Sequence, residues 1–211
     1  MSTEPRDFNK EAAVWDENPG RVKLAADIAA AMGARLELNP ALDVLDFGCG
    51  TGLLSLPWAP RVSSLTGADS SPGMLEVFAA KAARMGLTNV RTQYIDLEEG
   101  EELAGHYDRI VSSMTLHHIR KIAPLLAQFH RVLAPGGRLC LADLDTEDGQ
   151  FHGDNRGVFH LGFDRAVLRR DLAAAGFTDV RDATAAEVAK PVASGELRKF
   201  SVFLLTGRKA G

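Results

Sequence analysis

The chain alternates short apolar runs typical of strands with longer stretches in which apolar residues recur at helical spacing. The short runs predict seven strands: Asp43–Gly48, Ser63–Ala68, Val90–Ile95, Arg109–Ser113, Arg138–Ala142, Thr178–Ala183 and Phe200–Leu205. The longer stretches predict helices at Pro19–Met32, Ser71–Met85, Lys121–Leu133 and Phe163–Ala175, with a short one at Leu53–Ala59 that two prolines limit. This order is typical of a parallel sheet covered by helices on both faces.

The connection between the last two predicted strands does not fit a further helix. Residues Thr184 to Lys199 include Pro191 and Gly195 and are too polar for a long buried helix. A connection of this kind favours an antiparallel hairpin at the edge of the sheet. No internal repeat, low-complexity tract or second core interrupts the pattern, so residues 1–211 are expected to form a single three-layer α/β domain.

The overall charge narrows the choice of partners. With 24 Lys and Arg against 28 Asp and Glu, the net charge of the 211-residue chain is −4, and no basic cluster of five or more residues occurs. Neither nucleic acid nor a membrane is therefore an expected partner, and a small neutral or cationic molecule is easier to accommodate. Cys49 and Cys140 lack the spacing of a zinc or redox site, and Met1–Lys10 lacks the apolar core of a signal peptide, so we expect a cytoplasmic protein.

The first predicted strand runs directly into three glycines, Gly48, Gly50 and Gly52. Glycines at this spacing let the backbone turn sharply and approach a ligand closely, at the strand end where open α/β sheets bind ligands. A dinucleotide fingerprint would need its third glycine where the chain has Leu53, and Asp46 before the loop would repel a pyrophosphate and attract an ammonium or sulfonium. A plain tight turn is the alternative interpretation of these glycines.

In this glycine loop and in several later segments, the sequence resembles the class I S-adenosylmethionine-dependent methyltransferases, in particular their small-molecule, ubiquinone-biosynthesis-like (type 11) branch. The resemblance runs from about Asp43 to Val180 and includes the segments Gly67–Met74, Tyr94–Leu97, Tyr107–His118 and Arg131–Leu139. It implies a Rossmann-like fold with a mostly parallel seven-stranded sheet and an antiparallel edge strand. S-adenosylmethionine would be the cofactor and S-adenosylhomocysteine the product.

The resemblance also implies roles for individual residues around the cofactor. Asp46 and the three glycines would hold its amino-acid portion, and Asp69, followed by Ser70, would accept hydrogen bonds from both ribose hydroxyls. The adenine would contact Met74, Asp96 and Leu97. Two more cofactor contacts are implied, one at Ser113 at the end of the fourth strand and one with the amino-terminal aromatic residue Trp15. Plainer roles exist: Asp69 as a helix cap, Asp96 as a cap or solvated loop acid, and Trp15 as an ordinary packing residue.

Two regions are candidates for binding the methyl acceptor. The resemblance implies an amino-terminal cap, residues 1–33, that closes over the cofactor. The second region is the long connection 143–163, which carries His152 and His160 together with Phe151 and Phe159. A loop of this length in a compact domain is uncommon unless it is a lid or a binding element, and a solvated surface loop is the alternative.

The histidines are the candidate bases. His117 and His118 are adjacent, and adjacent residues of an extended strand point to opposite sides, so we expect at most one of them to face the methyl group. The candidate catalytic residues are His118, His152 and His160. No spacing among them fixes a metal site, and we expect no metal.

Together these residues predict transfer of a methyl group from S-adenosylmethionine to a small-molecule acceptor by in-line displacement. The sulfonium methyl is already activated, so the protein has to hold the acceptor in line and exclude water; a base is needed only for a protonated acceptor. The alternatives are a protein that binds S-adenosylmethionine without catalysis and, less in keeping with the glycine spacing, an NAD(P)-dependent oxidoreductase. The identity of the methylated atom and the oligomeric state stay open.

Overall fold

The computed structural model describes residues 7–211, and its secondary structure follows the predicted order. The strands are β1 (Asp43–Phe47), β2 (Ser64–Asp69), β3 (Val90–Tyr94), β4 (Tyr107–Ser113), β5 (Leu133–Leu144), β6 (Thr178–Pro191) and β7 (Leu197–Arg208). The α-helices are α1 (Phe8–Glu11), α2 (Pro19–Leu36), α3 (Pro72–Arg84), α4 (Ile122–Val132) and α5 (Arg165–Ala174). The 3-10 helices are Ala12–Glu17, Leu56–Arg61, Leu97–Glu99 and Leu116–His118.

All seven strands form one sheet in the order β3-β2-β1-β4-β5-β7-β6. Neighbouring strands are parallel from β3 to β5, whereas β7 is antiparallel to both β5 and β6. The expected fold class is confirmed, with the reversed strand one position in from the edge. Strand order reverses between β1 and β4, so a crevice for ligands opens there at the carboxyl ends of the strands.

Helices α2 and α3 begin at polar caps that the sequence places next to proline. The Asn18 side chain accepts hydrogen bonds from the first backbone N–H groups of α2, and Ser71 accepts one from Met74 at the start of α3. Proline is favourable at the first position of both helices, because the backbone N–H of that position makes no hydrogen bond within the helix. The start of α3 is thereby fixed beside the end of β2.

Apolar side chains hold helices against both faces of the sheet. Phe129 of α4 and Phe203 of β7 belong to the core on one face, and Ile28 and Met32 of α2 to the core on the other. Phe78 of α3 is fully buried in a third cluster beside β1 and β2. Burial of each such side chain contributes on the order of 1.5–3 kcal/mol, so the strand ends that carry the site rest on a rigid support.

The structure corrects some predicted boundaries. The short helix expected at Leu53–Ala59 is a 3-10 helix at Leu56–Arg61, since prolines limit regular α-helical bonding there. The expected hairpin is confirmed but much longer, because β6 and β7 extend through most of the polar connection to a turn at residues 192–196. Of the amino-terminal cap, residues 1–6 lie outside the described part. Between residues 7 and 211, no helix is long and apolar enough to cross a membrane.

Candidate cofactor and acceptor site

The glycine loop after β1 adopts the left-handed conformations that its sequence predicts. Gly48, Gly50 and Gly52 have φ angles of 70°, 51° and 82°. A Cβ atom at Gly48 would overlap the Thr115 side chain, and one at Gly52 would overlap Leu56, whereas one at Gly50 would meet nothing within 4 Å. The first and third glycines are therefore required by packing, while the middle one opens onto free space where a ligand can approach the backbone.

Asp69 ties the glycine loop to the start of α3. One carboxylate oxygen accepts a hydrogen bond from the Gly50 N–H (2.8 Å) and the other from the Ser71 N–H (2.9 Å). The helix cap itself is Ser71, so the alternative role of Asp69 as the cap does not hold. Burial raises the pKa of Asp69, and backbone N–H groups oppose the rise. Each oxygen keeps a lone pair, which is the capacity needed to accept hydroxyl hydrogen bonds.

Asp46 is the most strongly perturbed acid of the site. Its side chain is buried in β1, and neither its Oδ2 atom nor the buried Ser55 hydroxyl has a hydrogen-bond partner among the described residues. Burial raises the pKa of Asp46 to about 7, the nearby Ser55 hydroxyl opposes this, and the negative Asp69 adds to it. An ammonium group would give the carboxylate the missing partner, so the site fits the amino-acid end of S-adenosylmethionine.

The amino-terminal segment is fastened to the glycine loop and to α3. Asp16 accepts a hydrogen bond from the Thr51 hydroxyl (2.6 Å) and forms an ion pair with Lys81 of α3 (2.6 Å). Trp15 lies beside Asp16, with the Arg21 guanidinium 3.9 Å from its ring centroid and the Phe8 ring centroid 5.9 Å away. The segment is therefore held against the glycine loop and α3.

A second contact anchors the segment to the start of α3. The Asn9 side-chain oxygen accepts hydrogen bonds from the Ser71 hydroxyl and from the Gly73 N–H, both at 2.8 Å. A Cβ atom at Gly73 would come within 3.0 Å of the Asn9 backbone oxygen, which shows how closely the segment approaches the start of α3. Sequence reasoning missed Asn9, Asp16 and Lys81 because nothing local marks a contact across 60 residues.

The other residues predicted to contact the cofactor differ in exposure. Met74 is buried at the first turn of α3, Ser70 is exposed between β2 and α3, and Ser113 ends β4. Asp96 accepts a hydrogen bond from the Glu98 N–H and caps the 3-10 helix that begins at Leu97. Asp96 therefore has the alternative role of a helix cap. A contact with adenine would have to use the lone pairs of its carboxylate that the cap leaves free.

Three histidine rings meet beside the end of β4. The ring centroids of His117 and His118 are 4.2 Å apart, and His152 lies 4.9 Å from the former and 6.1 Å from the latter. The expectation that His117 and His118 point to opposite sides is wrong, because they lie in a 3-10 turn and not in extended strand. The structure thus brings together two of the three candidate bases.

Asp143 orients this cluster from the end of β5. Its carboxylate lies 2.7 Å from His117 Nδ1 and also accepts hydrogen bonds from the backbone N–H groups of His117 and Leu144. Both side chains are almost completely buried. With the Nδ1 proton directed at Asp143, the basic nitrogen of neutral His117 is Nε2. Sequence reasoning missed Asp143, although an acid directly after the apolar run Leu139–Ala142 was the available signal.

The long connection folds back onto the turn after β4. The Phe159 N–H donates to the His117 carbonyl (2.8 Å), and His118 Nδ1 lies 2.7 Å from the Gly157 carbonyl. His160 does not join the cluster, since its Nε2 lies 2.9 Å from the Ile119 carbonyl and its ring packs on Phe163. Within residues 7–211, no group of three or more His, Cys, Asp or Glu is arranged to hold a metal ion.

The fold and the crevice define a three-layer α/β protein of the Rossmann-like class, and comparison with known proteins specifies the class further. Residues 44–137 match the methyltransferase domain family. An uncharacterised methyltransferase of Schizosaccharomyces pombe is 33% identical over 135 residues, 57% of this chain and 48% of that protein. The ubiquinone biosynthesis O-methyltransferase of Pseudomonas aeruginosa is 30% identical over 130 residues, 62% of this chain and 53% of that protein.

Among solved structures, the YcgJ protein from Bacillus subtilis superposes with a TM-score of 0.72 at 18% identity, covering 87% of this chain and 98% of that one. The resemblance inferred from the sequence is confirmed: residues 44–137 match the methyltransferase domain family, and these curated relatives are named as methyltransferases. The chain spans about half the length of the curated relatives it matches.

Proposed function

We propose that the chain transfers a methyl group from S-adenosylmethionine to a small-molecule acceptor. The observation that carries this proposal is the crevice between β1 and β4, where one oxygen of the buried Asp46 carboxylate has no hydrogen-bond partner among residues 7–211 and the Gly50 backbone faces open space. An NAD(P) pyrophosphate would have to lie next to Asp46 and Asp69, two acids whose charges it would oppose. The methyltransferase domain match over residues 44–137 supports the same function.

When bound, S-adenosylmethionine supplies a methyl group already activated by the sulfonium charge. Asp46 would hold the ammonium end, Asp69 the ribose hydroxyls, and Met74 with Asp96 and Leu97 the adenine. The fastened amino-terminal segment around Trp15 and Asp16 would close the crevice and exclude water. The main catalytic contribution of these residues is positioning, which supplies on the order of 7–11 kcal/mol in favourable cases.

For the acceptor we propose a hydroxyl compound, because the cluster beside β4 is suited to removing a proton. His118 Nδ1 donates to the Gly157 carbonyl in the neutral ring, which leaves Nε2 as the basic nitrogen. His117 is held by Asp143 and packs against His118, so it positions that ring. The name of the ubiquinone biosynthesis O-methyltransferase is in keeping with oxygen as the methylated atom. His160 would act by anchoring the long connection.

The first test is calorimetric titration of the purified chain with S-adenosylmethionine, S-adenosylhomocysteine and NAD(P)H side by side. We expect micromolar binding of the first two and none of the third. Binding of NAD(P)H alone would overturn the proposal. Protein that binds S-adenosylmethionine should then be assayed for S-adenosylhomocysteine formation with phenols, catechols and aliphatic alcohols, and with amines and thiols as contrast.

The histidines are tested in the same assay. His118→Gln and His152→Ala should lower turnover at least tenfold while leaving S-adenosylhomocysteine affinity unchanged, and His160→Ala should lower it less. His130→Ala is the matched control, since His130 packs on Phe177 away from the crevice. Tight cofactor binding without product from any acceptor would favour a non-catalytic binding protein instead.

A further inference from the structure

At the end of the sheet opposite the glycine loop, three arginines occupy one row across adjacent strands. Arg109 of β4 is paired in register with Arg138 of β5, and Arg138 is paired with Arg208 of β7. Residues paired in this way point to the same face, with Cβ atoms about 4.5–5.5 Å apart. Like charges placed directly opposite each other destabilise a sheet, so the row needs an explanation beyond folding.

Two further arginines lie at the face of the sheet that carries this row. Arg181 of β6 pairs with Thr206, two residues before Arg208, and therefore lies on the same face of the sheet. Arg35 comes from the last turn of α2, which packs over that face. Arg35, Arg138, Arg181 and Arg208 line a cleft of about 390 Å³, and Arg109 is buried beside it.

The acids around the cleft do not balance these charges. Glu37 pairs with Arg138 (2.9 Å) and Asp179 with Arg181 (2.8 Å). Asp108 lies beside Arg109 and accepts a hydrogen bond from the Asp43 N–H. Asp182, also at the rim, binds Arg165 and Arg169 of α5 on the opposite face of the sheet. Five arginines thus share three acids, in a chain whose net charge is −4.

Part of the row has a structural role, and part does not. Arg109 donates to the Leu36 carbonyl (2.7 Å) and Arg138 to the Arg35 carbonyl (3.1 Å), which caps the end of α2. The Arg208 guanidinium makes no ion pair with any acid in residues 7–211. The pKa of Arg109 is lowered, first by burial and then by the positive charge of Arg138, with a smaller contribution from Arg208.

We infer that this cleft binds a small phosphate-bearing anion of pyrophosphate or polyphosphate size. Guanidinium groups match phosphate oxygens with paired hydrogen bonds, and an anion between Arg35, Arg138 and Arg208 would turn their mutual repulsion into attraction. The cleft lies at the amino ends of the parallel strands, so its ligand does not compete with the cofactor crevice. Its concave shape and the negative net charge of the chain select a small anion over a nucleic-acid polymer.

The test is calorimetric titration of the full chain with sodium pyrophosphate, in low salt and again with added chloride. Pyrophosphate has no adenosine group, so it does not report on the cofactor crevice. We expect saturable binding that weakens with salt, and about tenfold weaker binding in Arg208→Gln and in Arg35→Gln. Arg198→Gln is the matched control, because Arg198 pairs with Asp148 on the hairpin arm away from the cleft.

Two further measurements separate a binding site from a structural arginine row. Pyrophosphate should raise the melting temperature of the wild type but not of Arg208→Gln, and saturating S-adenosylhomocysteine should leave pyrophosphate affinity unchanged. Absence of binding, equal binding by Arg208→Gln, or displacement by S-adenosylhomocysteine would overturn the inference. Tighter binding of a short single-stranded RNA than of pyrophosphate would replace it with a polymer-binding surface.

Discussion

The two ends of the central sheet carry opposite charges, and each end places like charges next to each other. At the carboxyl ends, Asp46 and Asp69 face the glycine loop, and the charge of Asp69 adds to the raised pKa of Asp46. At the amino ends, Arg109, Arg138 and Arg208 form a row in which burial lowers the pKa of Arg109 and the charges of the other two arginines lower it further. A bound cation would relieve the first arrangement, and a bound anion would relieve the second.

The two ends of the sheet differ in the solvent exposure of their charged side chains. Asp46 is about 1% exposed, whereas Arg208 is exposed and Arg138 keeps about a third of its side-chain surface. A buried charge without a partner costs far more than a solvated one, because water and salt screen the latter. The carboxyl end should therefore show large effects of mutation and pH, and the arginine end should show small ones.

The largest effect is expected for Asp69→Ala. The variant loses two charge-assisted hydrogen bonds to the ribose hydroxyls, so S-adenosylhomocysteine affinity should fall by about 2–4 kcal/mol. The measurement is calorimetric titration, with Asp148→Ala as control because the Asp148 carboxylate is half exposed and pairs with Arg198. Unchanged affinity in Asp69→Ala would show that the ribose assignment is wrong.

A pH titration tests Asp46 next. Its folded pKa of about 7 exceeds the ordinary value of 3.8, so its contribution to stability is complete below pH 3.8 and is lost as the pH rises through 7. Binding of an ammonium requires the ionised carboxylate, and S-adenosylhomocysteine affinity should therefore fall about tenfold for each pH unit below 7.

Asp46→Asn supplies the comparison for that titration. The variant should bind S-adenosylhomocysteine weakly with a flat pH profile between 5 and 7. Without the cofactor, its free energy of unfolding at pH 8 should exceed that of the wild type by on the order of 2–4 kcal/mol. A wild-type affinity that does not vary between pH 5 and 7 would contradict the assignment.

A matched pair of glycines tests whether the loop binds a ligand or only turns. Gly50 and Gly86 both have positive φ, and a Cβ atom at either meets nothing within 4 Å. Alanine at either position should cost about 1–2 kcal/mol of stability through strain alone. Only Gly50→Ala should also weaken S-adenosylhomocysteine binding, by about tenfold. Equal affinities in the two variants would mean that Gly50 does not face the cofactor.

Sequence reasoning predicted the half of the sheet around β1 and β4 well, because the signals of that half lie within short stretches of the chain. An apolar strand, the three glycines and an acid at a strand end are visible in a short window, and class resemblance supplied the rest. The histidine turn was mispredicted because three residues can leave extended geometry without any change of composition. Contacts such as Asp16 with Lys81 or Asp143 with His117 depend on tertiary packing, and no local signal shows which two residues will meet.

The arginine row was invisible for a related reason. Arg109, Arg138 and Arg208 are far apart in the chain, and each is one charged residue among 24 Lys and Arg. Only strand order and register bring them together, and register cannot be read from a single strand. A count of basic clusters along the sequence therefore described the charge of the chain and missed its distribution in space.

The smallest expected effect separates two members of that row. Arg208→Gln should change the free energy of unfolding by less than about 0.5 kcal/mol, or raise it slightly in low salt, because it removes a repulsive neighbour and no ion pair. Arg109→Gln should cost about 1–3 kcal/mol, because the buried Leu36 carbonyl loses its donor. Urea denaturation in low salt measures both. If Arg208→Gln were as destabilising as Arg109→Gln, the whole row would be structural, and the contrast between the two ends of the sheet would fail.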